Sequence, residues 1–567
     1  MSQTNPALVT ELAARRLPRW VLLLLGLAYV VPGLIGRDPW RQSDLAAFGA
    51  MLDLSRHPAH WQLPQVLGEA VEHAGWLPYW LGAAAIRALP FLPADLAARL
   101  PFGLLLVLTL VSTWYAMYHL ARLPGAQPLA FAFGGEARPA DYARALADAA
   151  LLALIASLGL ALLSHESTPS AAQLAFSALL LFGGARLVSP LVSRHGLTVT
   201  AWWAGALGLS LSGAPAVSLA LGAGWLVWSA RSRATAATPT RRSLWAACAL
   251  GTGVGLVFYV VLAGHTFGLA GPAANWLSYP AWRGLGRLLV WFTWPAGLLV
   301  LWTLWRWRRR WHEAQLLLPL WWLVVGIAAT IWSGRGDRTL LLALPALACL
   351  AALALPTLSR AVTALIDWFA LLFFTGGAIV VWTIYLAMMT GTPEKPAANV
   401  AKLAPGFQPE FSWGLLLPAL LATAAWVGVL VWRIGRHRPA LWKSLVLSAT
   451  GGTLCWLLLM TLWLPLLNFG LGQAPISQRI AAVTPPGGCV LVYGLNHDQI
   501  TGLQYHGGLT VRRWDPQAAG VTCPRLVLHP AAYRRVPNGA LDGWSLMQSV
   551  PRLRDNRDHL LVFEQRR

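Results

Sequence analysis

The stretch RWVLLLLGLAYVVPGLIGRDPWRQSD, running from Arg19 to Asp44, decides how the whole chain is read. Residues 19–36 form an apolar run long enough to cross the roughly 30 Å hydrocarbon core of a bilayer as a helix. Arg15, Arg16 and Arg19 stand at its start, and the preference of basic residues for the cytoplasmic side puts that end inside. No small-residue cleavage site follows, so the run reads as an anchoring helix and not as a removable signal. Directly beyond it comes Gly36-Arg37-Asp38-Pro39-Trp40-Arg41-Gln42-Ser43-Asp44, which places the Asp44 carboxylate a few residues past the outer end of a membrane helix.

Of 567 residues, 57% are hydrophobic and 11% are charged, against roughly 25% charged in soluble domains. An ordinary soluble enzyme is excluded. Further spanning runs fall at 101–121, 147–164, 169–188, 197–213, 214–230, 244–264, 286–305, 316–333, 339–356, 363–388, 412–432 and 442–466, which makes about 13 transmembrane helices. The runs 197–213 and 214–230 meet at Ser212-Gly213-Ala214-Pro215, and merging them would invert everything downstream. The charges favour two helices there. Arg231, Arg233, Arg241 and Arg242, then Arg306, Arg308, Arg309 and Arg310, then Arg433, Arg436, Arg438 and Lys443 all fall inside, opposite sparse loops at 165–168 and 389–411 and the tail. The expected placement is a bacterial inner membrane, with a cytoplasmic N-terminus and a periplasmic C-terminus. Topology thus accounts for the net charge of +21, and a nucleic-acid partner is rejected.

Two outer segments exceed what a connector needs. The first, 37–100, holds Trp40, Trp61, Trp76, Tyr79 and Trp80 beside short amphipathic stretches such as Asp44 to Ser55, the pattern of helices lying at a membrane interface. Such helices would floor a cavity open to the outer leaflet. In the second, CVLVYGL (489–495), LTVRRW (509–514), RLVLH (525–529) and HLLVF (559–563) are strand-like runs between polar segments. The chain therefore divides into a transmembrane domain, 1–469, and a small periplasmic α/β domain, 470–567. Cys248, Cys349 and Cys455 lie in apolar runs as small core residues. Cys489 and Cys523 lie in the polar tail, with no CxxC or His-rich spacing of a metal site, and outside the cytoplasm a disulfide between them is expected.

Three pieces of sequence, in order, carry a family resemblance. Ser43-Asp44 follows the first helix, Glu72 to Trp80 (EHAGWLPYW) comes next, and Ala98-Arg99-Leu100-Pro101 opens the second helix. This order resembles the GT-C membrane glycosyltransferases, most closely the group of bacterial aminoarabinose (lipid A) transferases and protein O-mannosyltransferase-like enzymes. That group carries an acidic pair in the first outer loop, then a Glu-Lys-Pro-Pro-Leu-Tyr-Tyr-Trp-like stretch, then Ala-Arg-Leu-Pro. The resemblance covers about 15–470, and the long outer tail suits the aminoarabinose transferase layout. Two departures stand out. A single carboxylate occupies the acidic pair, and His73-Ala74-Gly75 replaces Lys-Pro-Pro, so any role of that lysine is lost. The resemblance implies an all-α polytopic protein of GT-C fold that moves a sugar from a polyprenyl-phosphate donor to an outer acceptor. The acceptor class stays open among lipid A or another lipopolysaccharide sugar, a different envelope glycan, and a protein side chain. A donor with a long isoprenoid tail also calls for an apolar groove from the outer cavity into lipid.

Inverting transfer needs a carboxylate to take the proton of the acceptor and a cation to hold the departing phosphate. Asp44 suits the first role; its bland alternative is a capping or surface aspartate. For the second, Ser333-Gly334-Arg335-Gly336-Asp337-Arg338 sets Arg335 and Arg338 at an outer turn, and the planar guanidinium suits a phosphate. Here the bland alternative pairs Arg338 with Asp337. Further substrate-binding candidates are Glu72, His73, Tyr79, Trp80, Arg99, His165 and Glu166. Of these, His165-Glu166 reads more simply as a polar turn, Arg99 as an anchor of the second helix, and Tyr79 and Trp80 as an interfacial aromatic belt. No metal site is expected, because two adjacent residues make only part of a ligand set, and no cofactor is called for. A transporter or flippase is the rival class. It would need broken helices at matching positions of two halves, and the sequence has no such repeat. A polymerase or ligase usually carries its large outer loop late in the chain, whereas here the acid-bearing loop comes first.

Overall fold

The computed structural model describes residues 7–566 apart from 41, 72–74, 192–194, 232–238, 267–278, 335, 435–439, 486–487, 517–522 and 553–554. Glu72, His73 and Arg335 therefore lie outside the described residues. Every apolar run carries helix, but not every run is one span. Six described helices are long and apolar enough to cross a membrane alone: Ala94–Ala121, Pro169–Val188, Ala314–Ser333, Asp337–Thr357, Arg360–Thr390 and Trp413–Arg433. Two broken pairs, Trp282–Phe292 with Ala296–Arg306 and Lys443–Leu459 with Leu464–Leu471, raise the number to eight. Part of the gap from the expected 13 comes from shortened helices. The first run yields a helix of only 12 residues, Arg19–Val30, and the runs around Ser212 give two 17-residue helices, His195–Leu211 and Pro215–Arg231. Arg360–Thr390 leaves Leu365, Trp368, Leu372 and Ile379 exposed, and Trp413–Ile434 leaves Leu417, Leu421 and Val431 exposed. Apolar faces of that length are stable against lipid and not against water, which makes this a multi-pass membrane protein.

The chain groups into two compact units. The first comprises Met1–Ile35, Leu100–Ile379 and Leu417–Leu458. Its centre is formed by Pro139–Ala156, Pro169–Val188 and Leu344–Ala352, which are buried almost throughout. Small residues let these helices approach closely, as membrane interiors require. A Cβ placed on Gly205 would lie 2.7 Å from the backbone nitrogen of Leu180, so His195–Leu211 meets Pro169–Val188 backbone to backbone there. Buried hydroxyls return their hydrogen bonds to the helix one turn back, as Thr109 does to the Leu105 carbonyl (2.9 Å) and Ser157 to that of Ala153 (2.9 Å).

The second unit comprises Gly36–Arg99, Val380–Leu416 and Leu459–Arg567. The helix Gln42–Arg56 runs through it and is buried along most of its length. Leu45, Phe48, Met51, Leu52 and Leu54 are enclosed, because Leu77–Ala88 packs where Gly82 admits the Met51 side chain and His497–Tyr505 packs where Gly49 admits Thr501. Strands β1 (Gln65–Val66) and β2 (Glu69–Ala70) make a two-residue hairpin. The tail folds into a sheet of β3 (Cys489–Tyr493), β4 (Thr510–Arg513), β5 (Arg525–Leu528), β6 (Trp544–Arg552) and β7 (Asp555–Gln565), in the order β4-β3-β5-β7-β6. β3 runs parallel to β4 and β5, with His497–Tyr505 inside the β3–β4 crossover, while β7 is antiparallel to β5 and β6. Leu491, Leu526, Leu528, Phe563 and Cys523 form one core face, and Cys489 and Cys523 are joined by a disulfide with Cα atoms 5.2 Å apart.

Candidate active site

The site around Asp44 is built within the second unit, starting from a turn. Gly36 adopts a φ of 72°, a value that favours glycine, and releases the chain into Arg37-Asp38-Pro39-Trp40. Asn468 then holds that segment by three hydrogen bonds. Its Oδ1 accepts from the Asp38 backbone N–H (3.0 Å) and from Trp40 Nε1 (2.7 Å), and its Nδ2 donates to the Gly36 carbonyl (2.8 Å). So pinned, Arg37 reaches Asp44 in the first turn of Gln42–Arg56, with its guanidinium 3.0 Å from Asp44 Oδ2 and both side chains 1% exposed. The Arg37 guanidinium also lies 5.3 Å above the Trp40 ring. Burial to this degree sets aside the reading of Asp44 as a surface aspartate.

More charge surrounds the pair than the sequence motifs pointed to. Arg99 is fully buried, lies 3.7 Å from Asp95, and is within electrostatic reach of Arg37, Asp44 and Asp38. Tyr505 donates a 2.8 Å hydrogen bond to Asp95 Oδ1, and His506 stands beside Asp38 and Asp95. Burial pushes the Asp38 carboxyl above its ordinary range, with His506 opposing the shift, and burial pushes the His506 imidazole down, with Asp38 opposing. Three carboxyls and two guanidiniums share the cluster. His506 Nε2 is buried and has no hydrogen-bond partner among the described residues. Asp38, Asp95, Asn468, Tyr505 and His506 carry no motif, because what brings them together is tertiary: Tyr505 lies 410 residues after the aspartate it contacts.

The remaining candidates fall in both units. In the first unit, Arg338 pairs with Glu166 at 2.7 Å and not with Asp337 as its bland alternative supposed, which brings two of the predicted residues together. Glu166 is 1% exposed. His165 is also buried and is not a residue of an open polar turn: Nε2 lies 3.1 Å from the Tyr29 carbonyl and Nδ1 2.5 Å from that of Ala161, while the ring packs 4.7 Å from Trp456. In the second unit, Tyr79 is buried and Trp80 donates from Nε1 to the Trp61 carbonyl (2.9 Å). An apolar groove of about 1100 Å³ lies in the first unit between Trp20, Leu24, Trp426 and Trp432. Its polar lining includes Arg15 and Arg16.

No protein-family model and no characterised protein matches the chain by sequence. Solved structures do match it. ArnT from Cupriavidus metallidurans bound to undecaprenyl phosphate superposes with a TM-score of 0.59 at 16% identity, covering 96% of this chain and 98% of that one. The apo state of ArnT gives a TM-score of 0.60 at 15% identity, over 96% and 97%. Identity this low speaks to architecture alone, and over nearly the full length of both proteins the architecture agrees: the chain has the GT-C fold of the ArnT transferase.

Proposed function

We propose that the protein is an inverting membrane glycosyltransferase that takes a sugar from a polyprenyl-phosphate donor and places it on an acceptor at the periplasmic side of the inner membrane. The observation that carries this reading is the enclosed Arg37–Asp44 pair with Arg99 and Asp95 beside it, in the first outer loop of a GT-C fold. In that reading Asp44 takes the proton of an acceptor hydroxyl or amine as the sugar–phosphate bond breaks, and Arg37 fixes the direction in which the carboxylate points. The undecaprenyl phosphate bound to ArnT supports a polyprenyl donor. Arg335 and Arg338 remain the proposed phosphate contacts, and lipid A, other envelope glycans and proteins the proposed acceptors.

The test is release of polyprenyl phosphate from a polyprenyl-phospho-sugar by the purified protein. Asp44→Asn keeps the shape and removes the proton acceptor, so in protein that still melts cooperatively, with Arg37 left without its charged partner, turnover falls by about 100- to 10,000-fold while donor binding changes little. Near-normal turnover of Asp44→Asn would sink the assignment. For Arg338, the informative substitution is Lys. Alanine strips the buried Glu166 of its guanidinium, so a folding loss would masquerade as lost donor affinity.

A further inference from the structure

The helix that presents Asp44 carries a second carboxylate, Asp53, near its other end, nine residues on and about 13 Å along the axis at 1.5 Å per residue. His57 follows the helix directly. His60 lies in the 3₁₀ turn Pro58–Gln62, whose leading proline fixes the backbone. His57 Nδ1 lies 3.2 Å from Asp53 Oδ1, and His60 Nδ1 lies 2.9 Å from Asp53 Oδ2. The two imidazoles are 5.4 Å apart and inclined at 33°. One donor atom from each of the three side chains falls within 4.8 Å of the others, and among the described residues no second group of three such side chains comes this close.

We propose that Asp53, His57 and His60 form a divalent cation site of the zinc class. Two imidazole nitrogens and one carboxylate oxygen match the preference of Zn²⁺, whereas Mg²⁺ and Ca²⁺ take oxygen shells. Bonds of about 2.0–2.2 Å set tetrahedral ligands roughly 3.3 Å apart, and each Nδ1 already stands near that distance from one Asp53 oxygen, His57 at 3.2 Å from Oδ1 and His60 at 2.9 Å from Oδ2. His57 is 59% exposed and His60 38%, so neither ring is locked by packing against the small torsional change that closes the set. The ion ties the end of Gln42–Arg56 to the turn. That turn is itself held to Leu77–Ala88, since the Trp61 carbonyl accepts from Trp80 and the Gln62 carbonyl accepts from Trp76 Nε1 (2.7 Å). Three protein ligands leave a tetrahedral ion one position for water or an anionic oxygen. At about 13 Å from Asp44 along the helix, the ion acts as a staple and takes no part in proton transfer there.

The experiment uses full-length protein in detergent, purified through a histidine-free tag and stripped of metal with EDTA. Calorimetric titration with ZnCl₂ and the visible absorption of added Co²⁺ report binding, and hydrogen exchange follows the segment 57–66. The expected result is one saturable site with a tetrahedral cobalt spectrum and slower exchange in that segment. The His57→Ala/His60→Ala double variant should lose at least about 100-fold in zinc affinity, since even outer-shell partners are worth 10- to 100-fold. Zinc binding within tenfold of wild type by a double variant that still melts cooperatively overturns the proposal. So does a wild type without saturable binding. Should the double variant fail to fold, Asp53→Asn and the exchange data on wild type decide, and exchange unchanged by zinc overturns it as well. None of these readouts depends on glycosyl transfer.

Discussion

At the scale of single residues, the Arg37–Asp44 pair is the most consequential contact, and its worth follows from burial. With both side chains 1% exposed, removing one partner leaves the other charge stranded. Arg37→Ala should therefore cost about 3–5 kcal/mol in unfolding free energy, while Arg37→Lys, which keeps the charge without the fork, should cost less. Thermal unfolding of the two variants in one detergent checks the order. His506 gives a second prediction with a definite sign. Its folded affinity for protons is depressed below the ordinary value of 6.5, so as pH falls through about 6.5 the unfolded chain takes up a proton that the native state refuses. Stability must drop on acidification in that range, by at most about 1.4 kcal/mol per pH unit, and His506→Asn should flatten the drop. Asp38 works the other way, since its raised folded value lets the unfolded chain release a proton first as pH rises. The difference between wild type and the His506 variant across pH 5 to 7 reports the histidine together with the Asp38 carboxyl coupled to it. A variant as acid-sensitive as wild type would exclude it. Asp44 and Arg99 are legible in the sequence because they sit in ordered motifs near the first and second helices. His506, Tyr505 and Asn468 are silent there, since nothing in a local pattern records which distant loop they meet.

At the scale of elements, the apolar runs give the helices, and the exceptions are physical. The first run becomes 12 residues because Pro32 and Gly33 follow Val31, and Gly33 is where His165 and Trp456 occupy the space a side chain would need. Hydropathy counts apolar residues and is blind to such crossings. The same close approach governs the helices on either side of 190. Gly205 faces the backbone of Leu180, which cannot move aside as a flexible side chain can. Gly205→Ala should therefore destabilise the protein by roughly 1–3 kcal/mol despite adding a single methyl, whereas Gly253→Ala, where no atom lies within 4 Å of the new Cβ, should not. Equal melting temperatures for the two variants would contradict the packing described. In the tail, four strands are legible as apolar runs and β6 is not. Its sequence, WSLMQSVPR, mixes polar residues with Pro551 and lies at the edge of the sheet, where one flank needs no partner.

At the scale of the whole molecule, composition alone excludes a soluble enzyme and yields the membrane class, while the division of the chain follows contacts that sequence order conceals. The second unit gathers 36–99, 380–416 and 459–567, three segments that a linear reading assigns to different places. Its sheet is closed by a disulfide spanning 34 residues, for which chain entropy gives about 3–4 kcal/mol. Cys523→Ser should lower the unfolding midpoint of the tail accordingly, and reduction should do the same to wild type and nothing to the variant; an equal response of both would rule the bridge out. The Asn468 clamp also fixes an order in time. Gly36 to Trp40 emerge early, yet Asn468 follows Asp38 by 430 residues and Tyr505 follows Asp95 by 410. At 5–20 residues per second, about 20–90 s of synthesis separates the loop from the side chains that hold it. During that interval buried arginines and aspartates of the future site stand without their last partners in a half-inserted chain. A ribosome that stops short of the tail therefore leaves behind a membrane stub in which the charge cluster has never closed.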